Sequence, residues 1–269
     1  MVISVSWSGG IPSTGLVAGA IAGLLPKPDV AVFADTGAET ESTYRTMEEW
    51  TPFVERSGID VLRAPVAGVI FEDVLAADGH FANLPFYTLH ADGRVGRLKR
   101  ECTAEYKVRP IKRALRDYLG VKRRGRLAAG LVEQWLGYTR EEVTRIHAPR
   151  VAWMTERYPW IDLGWYRFNV VEFLGEFCRC HFLPMPEPSA CWMCPFRGDW
   201  WSLSPVEQRW AVDFDGEIRE LPKLKAGGPV FLHRSCVPLQ QVISEGEAEP
   251  PPPLQLEFAM ECGSGYCEL

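Results

Sequence analysis

The chain has 269 residues, of which 46% are hydrophobic and 12% aromatic, so it can bury a large core. This length fits one α/β domain with additions better than two equal domains, and we expect one main sheet with a smaller C-terminal part. The formal net charge of −6 excludes a protein that coats nucleic acid through overall basic charge, because that mode of binding needs a basic surface.

The first part of the chain predicts alternating strands and helices. Residues 2–7 predict a buried strand, residues 13–25 a helix, and residues 30–34 a second buried strand. A helix over residues 40–57 and a strand over residues 59–62 follow. This alternation predicts βαβ units and a parallel sheet, whose ligand site lies at the carboxyl ends of the strands.

The remaining part of the chain has a weaker pattern. Residues 102–119 predict a helix that is interrupted near Pro110, because proline lacks a backbone donor and clashes with the preceding turn. Residues 126–131 predict a further strand, and beyond residue 159 short helices and proline-rich turns follow. Residues 247–253 predict a stiff, extended connector that carries the last residues back over the body or leaves them mobile.

The chain begins with a short strand-like run, without a basic leader or an apolar segment long enough to span a membrane. We therefore expect a cytoplasmic protein with no membrane partner. In that reducing compartment, its eight cysteines are expected to be metal ligands or redox-active thiols rather than disulfides. The sequence does not fix the oligomeric state, and a homodimer is compatible with it.

A glycine turn follows the first strand, with the sequence Ser-Gly-Gly-Ile-Pro-Ser-Thr over residues 8–14. Two glycines let the backbone approach an anion closely, and a helix N-terminus supplies amide and hydroxyl donors. From the spacing alone, an ordinary tight turn between strand and helix is the alternative. The second strand ends in an acidic stretch, Asp-Thr-Gly-Ala-Glu, over residues 35–39.

These two stretches resemble the PP-loop, Ser-Gly-Gly-x-Asp-Ser, and the Asp-Thr-Gly-x-Glu strand end of PAPS reductase-like proteins in the PP-loop adenine-nucleotide α-hydrolase superfamily. The later order of motifs is similar to that of phage and bacterial PAPS reductase family proteins. The resemblance implies a HUP or Rossmann-like parallel sheet flanked by helices. Residues 1–150 would form the PP-loop nucleotide-binding domain, and residues 151–269 a helical, cysteine-containing extension with a mobile tail.

The resemblance also implies a bound adenine nucleotide, either ATP or APS or PAPS, together with Mg²⁺. The residues expected to bind the nucleotide are Ser8, Gly9, Gly10, Ser13, Thr14, Asp35, Thr36, Glu39, Gly137 and Arg140. Capping of the following helix is the alternative role for Glu39. The residues expected to be catalytic are Asp35, Lys107 and Cys262.

One residue of the glycine turn departs from the PP-loop pattern. Pro12 stands where the motif usually has aspartate, and proline has neither a carboxylate nor an amide hydrogen. This position therefore cannot help to hold Mg²⁺ or donate to a phosphate. The departure weakens the expectation of ATP cleavage more than that of nucleotide binding.

The cysteines predict a metal site. Cys191 and Cys194 form a Cys-x-x-Cys pair, which can hold one metal from a single turn but needs further ligands. Cys102 resembles the cysteine that APS reductase-like proteins combine with such a pair around a [4Fe-4S] cluster. Those reductases carry two adjacent cysteines, whereas Glu101 precedes Cys102 here. The candidates for a fourth ligand are Cys180, Cys262 and Cys267, and Zn²⁺ is the alternative metal.

Three further features leave alternatives open. Glu-Cys-Gly over residues 261–263 resembles the mobile tail of APS and PAPS reductases, so Cys262 is either a nucleophile or a cluster ligand. Residues 94–126 are rich in lysine and arginine, and they form either a surface for nucleic acid or phosphate or a solvated helix face. Cys180 is either a ligand or a thiol in an aromatic helix.

Three functions remain at this stage. The first is nucleotide-dependent sulfur transfer to a nucleic acid or a small molecule, through an iron-sulfur cluster or a cysteine persulfide. The second is reduction of APS or PAPS with release of sulfite. The third is nucleotide binding without catalysis.

Overall fold

The computed structural model describes residues 1–64, 68–76, 83–122, 125–146, 151–221, 224 and 228–246. The elements, in chain order, are β1 (Val2–Ser6), α1 (Ile11–Ile21), β2 (Val30–Ala34), α2 (Glu41–Arg56), β3 (Asp60–Ala64), α3 (Ile70–Leu75), β4 (Tyr87–Leu89), β5 (Val95–Arg97), a π-helix (Thr103–Val108), α4 (Arg109–Tyr118), β6 (Val132–Trp135), a 3-10 helix (Arg140–Arg145), β7 (Met154–Arg157), α5 (Pro159–Asp162), α6 (Arg167–His181), a 3-10 turn (Trp200–Ser202), α7 (Pro205–Glu220), β8 (Val230–Phe231) and α8 (Leu239–Gly246).

Five parallel strands form the main sheet in the order β3-β2-β1-β6-β7. Side chains alternate across β2: Ala31 and Phe33 join a core with α1, α2 and α6, whereas Val30 and Val32 join a core with α4. The sheet is therefore covered by helices on both faces, which confirms the expected α/β fold. Its last strand, β7, lies beyond residue 150.

The order of the strands places a crevice beside β1. The chain runs from β1 outward through β2 to β3, and then returns to the other side of β1 with β6. In open parallel sheets, ligands bind outside the carboxyl ends of strands at such a reversal. The turn after β1 and the turn after β6 both lie there.

A second, antiparallel sheet was not predicted from the sequence. It has three short strands in the order β5-β4-β8. Its core includes Phe86 and Val230 and packs against α3, α7 and the segment around Trp192. The C-terminal part therefore folds back onto the residues that follow β3.

The predicted strand over residues 126–131 is wrong. Residues 129 and 130 form a turn in which Gly130 has φ 64°, and the strand is β6, which begins at Val132. The apolar run before Gly130 gave the false signal, because β6 itself carries the polar residues Glu133 and Gln134.

The first predicted helix is shifted rather than absent. The helix α1 begins at Ile11 instead of residue 13, because proline is well accommodated in a first helical turn, where Pro12 lies. It ends at Ile21 instead of residue 25, and Gly23 follows with φ 77°. Among the described residues, no helix has the length and apolar character needed to cross a membrane.

Candidate active site

The glycine turn between β1 and α1 brings backbone close to another segment. Gly9 has φ 76°, a conformation that residues with a Cβ rarely adopt. Gly10 precedes α1, and a Cβ on it would lie 2.6 Å from Ser189 Oγ. Glycine at residue 10 therefore lets the turn pack against the segment that leads to Cys191.

Three buried serines hold this turn in place. The hydroxyl of Ser8 is hydrogen-bonded to the hydroxyls of Ser13 and Ser189, at 3.0 Å each. The Ser8 amide donates to Ser13 Oγ at 3.1 Å, and Ser13 Oγ donates to the carbonyl of Gly10 at 3.1 Å. The hydroxyls that the sequence assigns to phosphate binding thus lie together at the start of α1.

The base of the turn is fixed by tryptophans and by close packing. Trp7 Nε1 donates to Thr14 Oγ1 at 3.0 Å, and Trp160 Nε1 donates to the Pro12 carbonyl at 2.9 Å. A Cβ on Gly137 would lie 2.9 Å from the backbone of Pro12 and Ser13. Gly137 therefore approaches the turn itself closely, and its expected role in nucleotide binding stays a prediction.

Asp35 lies at the carboxyl end of β2, where its side chain is 20% exposed. Its Oδ1 accepts hydrogen bonds from the Gly37 amide at 2.9 Å and from the Tyr44 hydroxyl at 2.8 Å. Burial and the neighbouring Asp35 carboxylate raise the pKa of Tyr44 above its ordinary value. Tyr44 therefore remains a protonated donor that orients Asp35.

Glu39 and Lys107 form an ion pair in the interior. Lys107 Nζ lies 3.2 Å from Glu39 Oε1, and the two side chains are 20% and 1% exposed. Thr36 Oγ1 also donates to Oε1, at 3.0 Å. The other carboxylate oxygen, Oε2, is buried without a hydrogen-bond partner among the described residues. A buried carboxylate oxygen in that state can accept a ligand hydrogen bond or a cation.

Cys191 is the thiol that lies against this pair. Its Sγ is 3.8 Å from Glu39 Oε1 and 3.5 Å from Thr36 Oγ1. Residues 39 and 191 pair as an isolated antiparallel β-bridge, and the Trp192 amide donates to the Ala38 carbonyl. Burial, and then the negative charge of Glu39, raise the pKa of the Cys191 thiol well above its ordinary value, although Lys107 acts in the opposite direction.

Two cavities adjoin these side chains. A small one of about 10 Å³, roughly the space of one water molecule, is lined by Ser8, Glu39 and Lys107. A larger cavity of about 530 Å³ lies beside β2 and α2, and its walls include Tyr44 and Met47. Met47 also packs near Gly9, within 3.4 Å of the position a Cβ would take there.

Four of the cysteines expected as metal ligands lie in the described residues, and their role as ligands stays a prediction. The part of the chain that the structure describes contains no group of three or more His, Cys, Asp or Glu side chains that could hold a metal ion. Cys180 is exposed near the end of α6, whereas Cys102 and Cys191 border the core of the second sheet. Cys194 lies one turn beyond Cys191. Cys262 and Cys267 lie outside the described residues.

The expected basic surface is partly taken up by internal contacts. The guanidinium groups of Arg97 and Arg100 lie 4.8 and 4.7 Å from the Phe196 ring centroid. Arg140, which was expected to bind the nucleotide, is exposed and lies 5.6 Å from the ring centroid of Tyr166. Several of these cations thus have aromatic partners within the protein.

The chain is similar to a PAPS reductase. The match is to the crystal structure of phosphoadenylyl-sulfate (PAPS) reductase from Candida auris in a phosphate complex. The two share 12% sequence identity, over 69% of this chain and 75% of that chain, with a TM-score of 0.42. No protein-family model matches the chain, and no curated protein matches its sequence.

Sequence reasoning missed two side chains of this site. Ser189 reaches the turn across 181 positions to bond Ser8, and no local pattern marks it. Tyr44 lies nine positions after Asp35, in the first turn of α2. Its phenol, so close in sequence to the acidic strand end, was the available signal for this hydrogen bond.

Proposed function

We propose that the protein is an enzyme that binds an adenine nucleotide at the carboxyl ends of β1 and β2 and performs sulfur chemistry there. The observation that carries this proposal is the convergence of three features: the Ser8–Ser13 turn, the Glu39–Lys107 pair and the Cys191 thiol. A phosphate-binding turn, a buried charge pair and a thiol at one sheet edge provide both binding and reactive groups.

The phosphates would bind at the turn. The start of α1 supplies backbone amides and a partial positive charge, and the Ser8 and Ser13 hydroxyls can rotate toward a phosphate oxygen. Lys107 Nζ, next to the small cavity, adds a cationic donor. The nucleoside would occupy the cavity of about 530 Å³, a volume within the range of small-molecule pockets.

Glu39 is the residue suited to a nucleotide-bound Mg²⁺. Mg²⁺ prefers oxygen ligands and is usually held by one or two carboxylates together with water and substrate phosphates. Glu39 Oε2 is a buried carboxylate oxygen without a hydrogen-bond partner in the described structure. The ion would neutralise negative charge on the phosphates.

Within this function we propose nucleotide-dependent sulfur transfer with Cys191 as the sulfur carrier. The nucleotide adenylates an oxygen of the acceptor and releases pyrophosphate. A persulfide on Cys191, loaded by an external persulfide donor, attacks the adenylated carbon, and AMP leaves. Attack by the Cys194 thiol on Cys191 sulfur then releases the thiolated product and leaves a disulfide, which an external thiol reduces.

This route needs no iron-sulfur cluster. The described cysteines do not provide the three or four thiolates that a [4Fe-4S] or Zn²⁺ site requires. The Sγ of Cys191 lies beside a carboxylate and a hydroxyl. We therefore assign no step to a cluster.

Reduction of APS or PAPS is the second candidate, and Pro12 favours it. The first turn of α1 has proline where the PP-loop motif places a carboxylate that helps to hold Mg²⁺, and a reductase cleaves no ATP. In that reaction a thiol attacks the sulfate sulfur and the nucleotide leaves, and a second thiol then releases sulfite.

The experiment compares three reactions of the purified protein. One measures pyrophosphate release from ATP with Mg²⁺, a persulfide donor and added RNA or DNA. The second measures sulfite release from APS or PAPS with dithiothreitol. The third measures ³⁵S loading of Cys191 by a ³⁵S-labelled persulfide donor. Cys191→Ser is the test variant, and Cys180→Ser, at an exposed position on α6, is the matched control.

Sulfur transfer predicts ³⁵S loading that Cys191→Ser abolishes and Cys180→Ser preserves, with pyrophosphate release. Sulfite release from APS or PAPS, without pyrophosphate release from ATP, would show that the protein is a reductase and not a sulfur transferase. Nucleotide binding with neither product would leave the third function, a nucleotide-binding protein without catalysis.

A further inference from the structure

An aromatic pocket borders the loop after β2 that also carries Glu39. Its volume is about 350 Å³, and it is open to solvent between α3 and α7. Gly37, on the loop after β2, forms part of its wall, so the pocket adjoins the proposed nucleotide site without sharing its side chains. The functions proposed above give it no role.

Four pocket residues come from one face of α7. Trp210, Asp213, Phe214 and Glu217 follow the spacing i, i+3, i+4 and i+7, which brings side chains to one side of a helix. The face is therefore aromatic and acidic at once. Apolar residues at this spacing usually pack into a core, and only Phe214 of the four is buried.

The pocket has aromatic rings on several sides. The ring centroid of Trp192 lies 5.4 Å from that of Phe71, 6.1 Å from that of Trp210 and 5.8 Å from that of Phe214. Trp192 is 5% exposed and forms the floor, whereas Trp210 is 49% exposed and forms the outer wall. Ring faces attract cations through their quadrupole, and tryptophan does so most strongly.

Two carboxylates accompany these rings. Asp213 and Glu217 both line the pocket and are exposed. Neither forms an ion pair with another residue in the described part of the chain. Helix α7 carries two arginines: Arg219 is paired with Asp215, and Arg209 is exposed one helical turn before Asp213 without a salt bridge to it. Because neither pocket carboxylate is in a salt bridge among the described residues, both can pair with a cationic ligand.

We propose that this pocket binds a small organic ammonium ion that carries alkyl groups. Its alkyl groups would contact Trp192, Trp210 and Phe71, and its positive charge would be shared between the rings and the two carboxylates. A strongly hydrated inorganic cation would gain little from the rings, and a neutral aromatic ligand would not need the carboxylates. The combination of rings and charge therefore selects this class of ligand.

The test is calorimetric titration with choline and with benzyltrimethylammonium chloride. The control ligand is 3,3-dimethylbutan-1-ol, which has the shape of choline without its charge. We expect choline to bind at least about tenfold more tightly than the alcohol, as a desolvated cation–π contact implies. Equal binding of the two, or no binding of either ammonium ion, would overturn the proposal.

Variants locate the site. Asp213→Asn/Glu217→Gln should weaken ammonium binding by about tenfold, because it removes both charges. The matched control is Glu172→Gln/Glu176→Gln, two exposed acids with the same spacing on α6. Both pairs are exposed, so folding should not change. Ammonium binding that survives loss of Asp213 and Glu217 would refute the assignment.

A second measurement follows the ¹⁹F NMR signal of Trp210, which forms the outer wall of the pocket. In protein labelled with 5-fluorotryptophan, the ¹⁹F resonance lost in Trp210→Leu identifies Trp210. This resonance should shift on addition of benzyltrimethylammonium. Phe168→Leu, at an aromatic side chain that is 65% exposed on α6, should leave binding unchanged. A Trp210 resonance that stays fixed while the ligand binds elsewhere would contradict the proposal.

Discussion

Replacement of Gly10 by alanine tests whether the turn after β1 is closed by the segment around Ser189. The backbone of Gly10 has φ −87° and ψ 168°, which alanine adopts freely, so backbone strain is not involved. The new Cβ would lie 2.6 Å from Ser189 Oγ and 3.1 Å from the Ser189 backbone nitrogen. Ser189 Oγ can rotate away only if its hydrogen bond to Ser8 breaks, and the backbone nitrogen of Ser189 cannot rotate away at all.

The expected cost follows from these contacts. Overpacking of a well-packed site costs about 1–3 kcal/mol. Alanine also makes the unfolded chain less flexible than glycine does, and this stabilises the folded state by about 0.4–1 kcal/mol and offsets part of the overpacking cost. We therefore expect Gly10→Ala to lower the free energy of unfolding by about 1–2 kcal/mol, as measured by urea denaturation.

Two further variants make this test specific. Gly175→Ala, in α6, is the control, because a Cβ there meets no atom within 4 Å and alanine favours helix by about 1 kcal/mol. The double variant Gly10→Ala/Ser189→Gly removes the contacts of the new Cβ with Ser189 Oγ and Cβ. Its free energy of unfolding should therefore be about 1 kcal/mol higher than the sum of the two single effects predicts. A neutral Gly10→Ala, or additive effects in the double variant, would refute the packing argument.

Three other substitutions test the surroundings of the site. Glu39→Gln should lower the pKa of Cys191, because it removes the negative charge that opposes the thiolate, and alkylation of that cysteine at pH 8 should accelerate on the order of tenfold, as followed by peptide mass spectrometry. Gly137→Ala should destabilise the protein by about 1–3 kcal/mol in urea, since its Cβ meets backbone that cannot rotate away; an unchanged midpoint would contradict this. Arg145→Met should cost about 3–5 kcal/mol, because it leaves the buried Glu142, whose pKa is already raised by burial, without its partner; a loss below 1 kcal/mol in the same assay would count against it.

The sequence predicted those features that local patterns encode. The apolar runs of β1 and β2 and the spacing of α2 marked three elements close to their observed bounds. The PP-loop-like turn and the acidic strand end lie at the same edge of the sheet, as predicted, because parallel strands bring their carboxyl ends together. These signals depend on neighbours in sequence.

The features that were missed depend on distant partners. The short strand β8 pairs with β4 across more than one hundred positions, and two or three residues carry too little pattern to mark a strand. Strand β6 carries Gln134, which is fully buried, and a polar residue hid its identity. The contact of Cys191 with Glu39 spans 152 positions, so no local pattern marks the carboxylate that lies beside this thiol.

A crystal structure of the protein with a bound adenine nucleotide would test directly whether the nucleotide binds at the turn after β1. We expect phosphate density at the turn of Ser8 to Ser13, within hydrogen-bond distance of Lys107 Nζ, and the nucleoside in the cavity beside Tyr44 and Met47. A nucleotide bound away from this turn, or a turn that excludes nucleotide at saturating concentration, would contradict it.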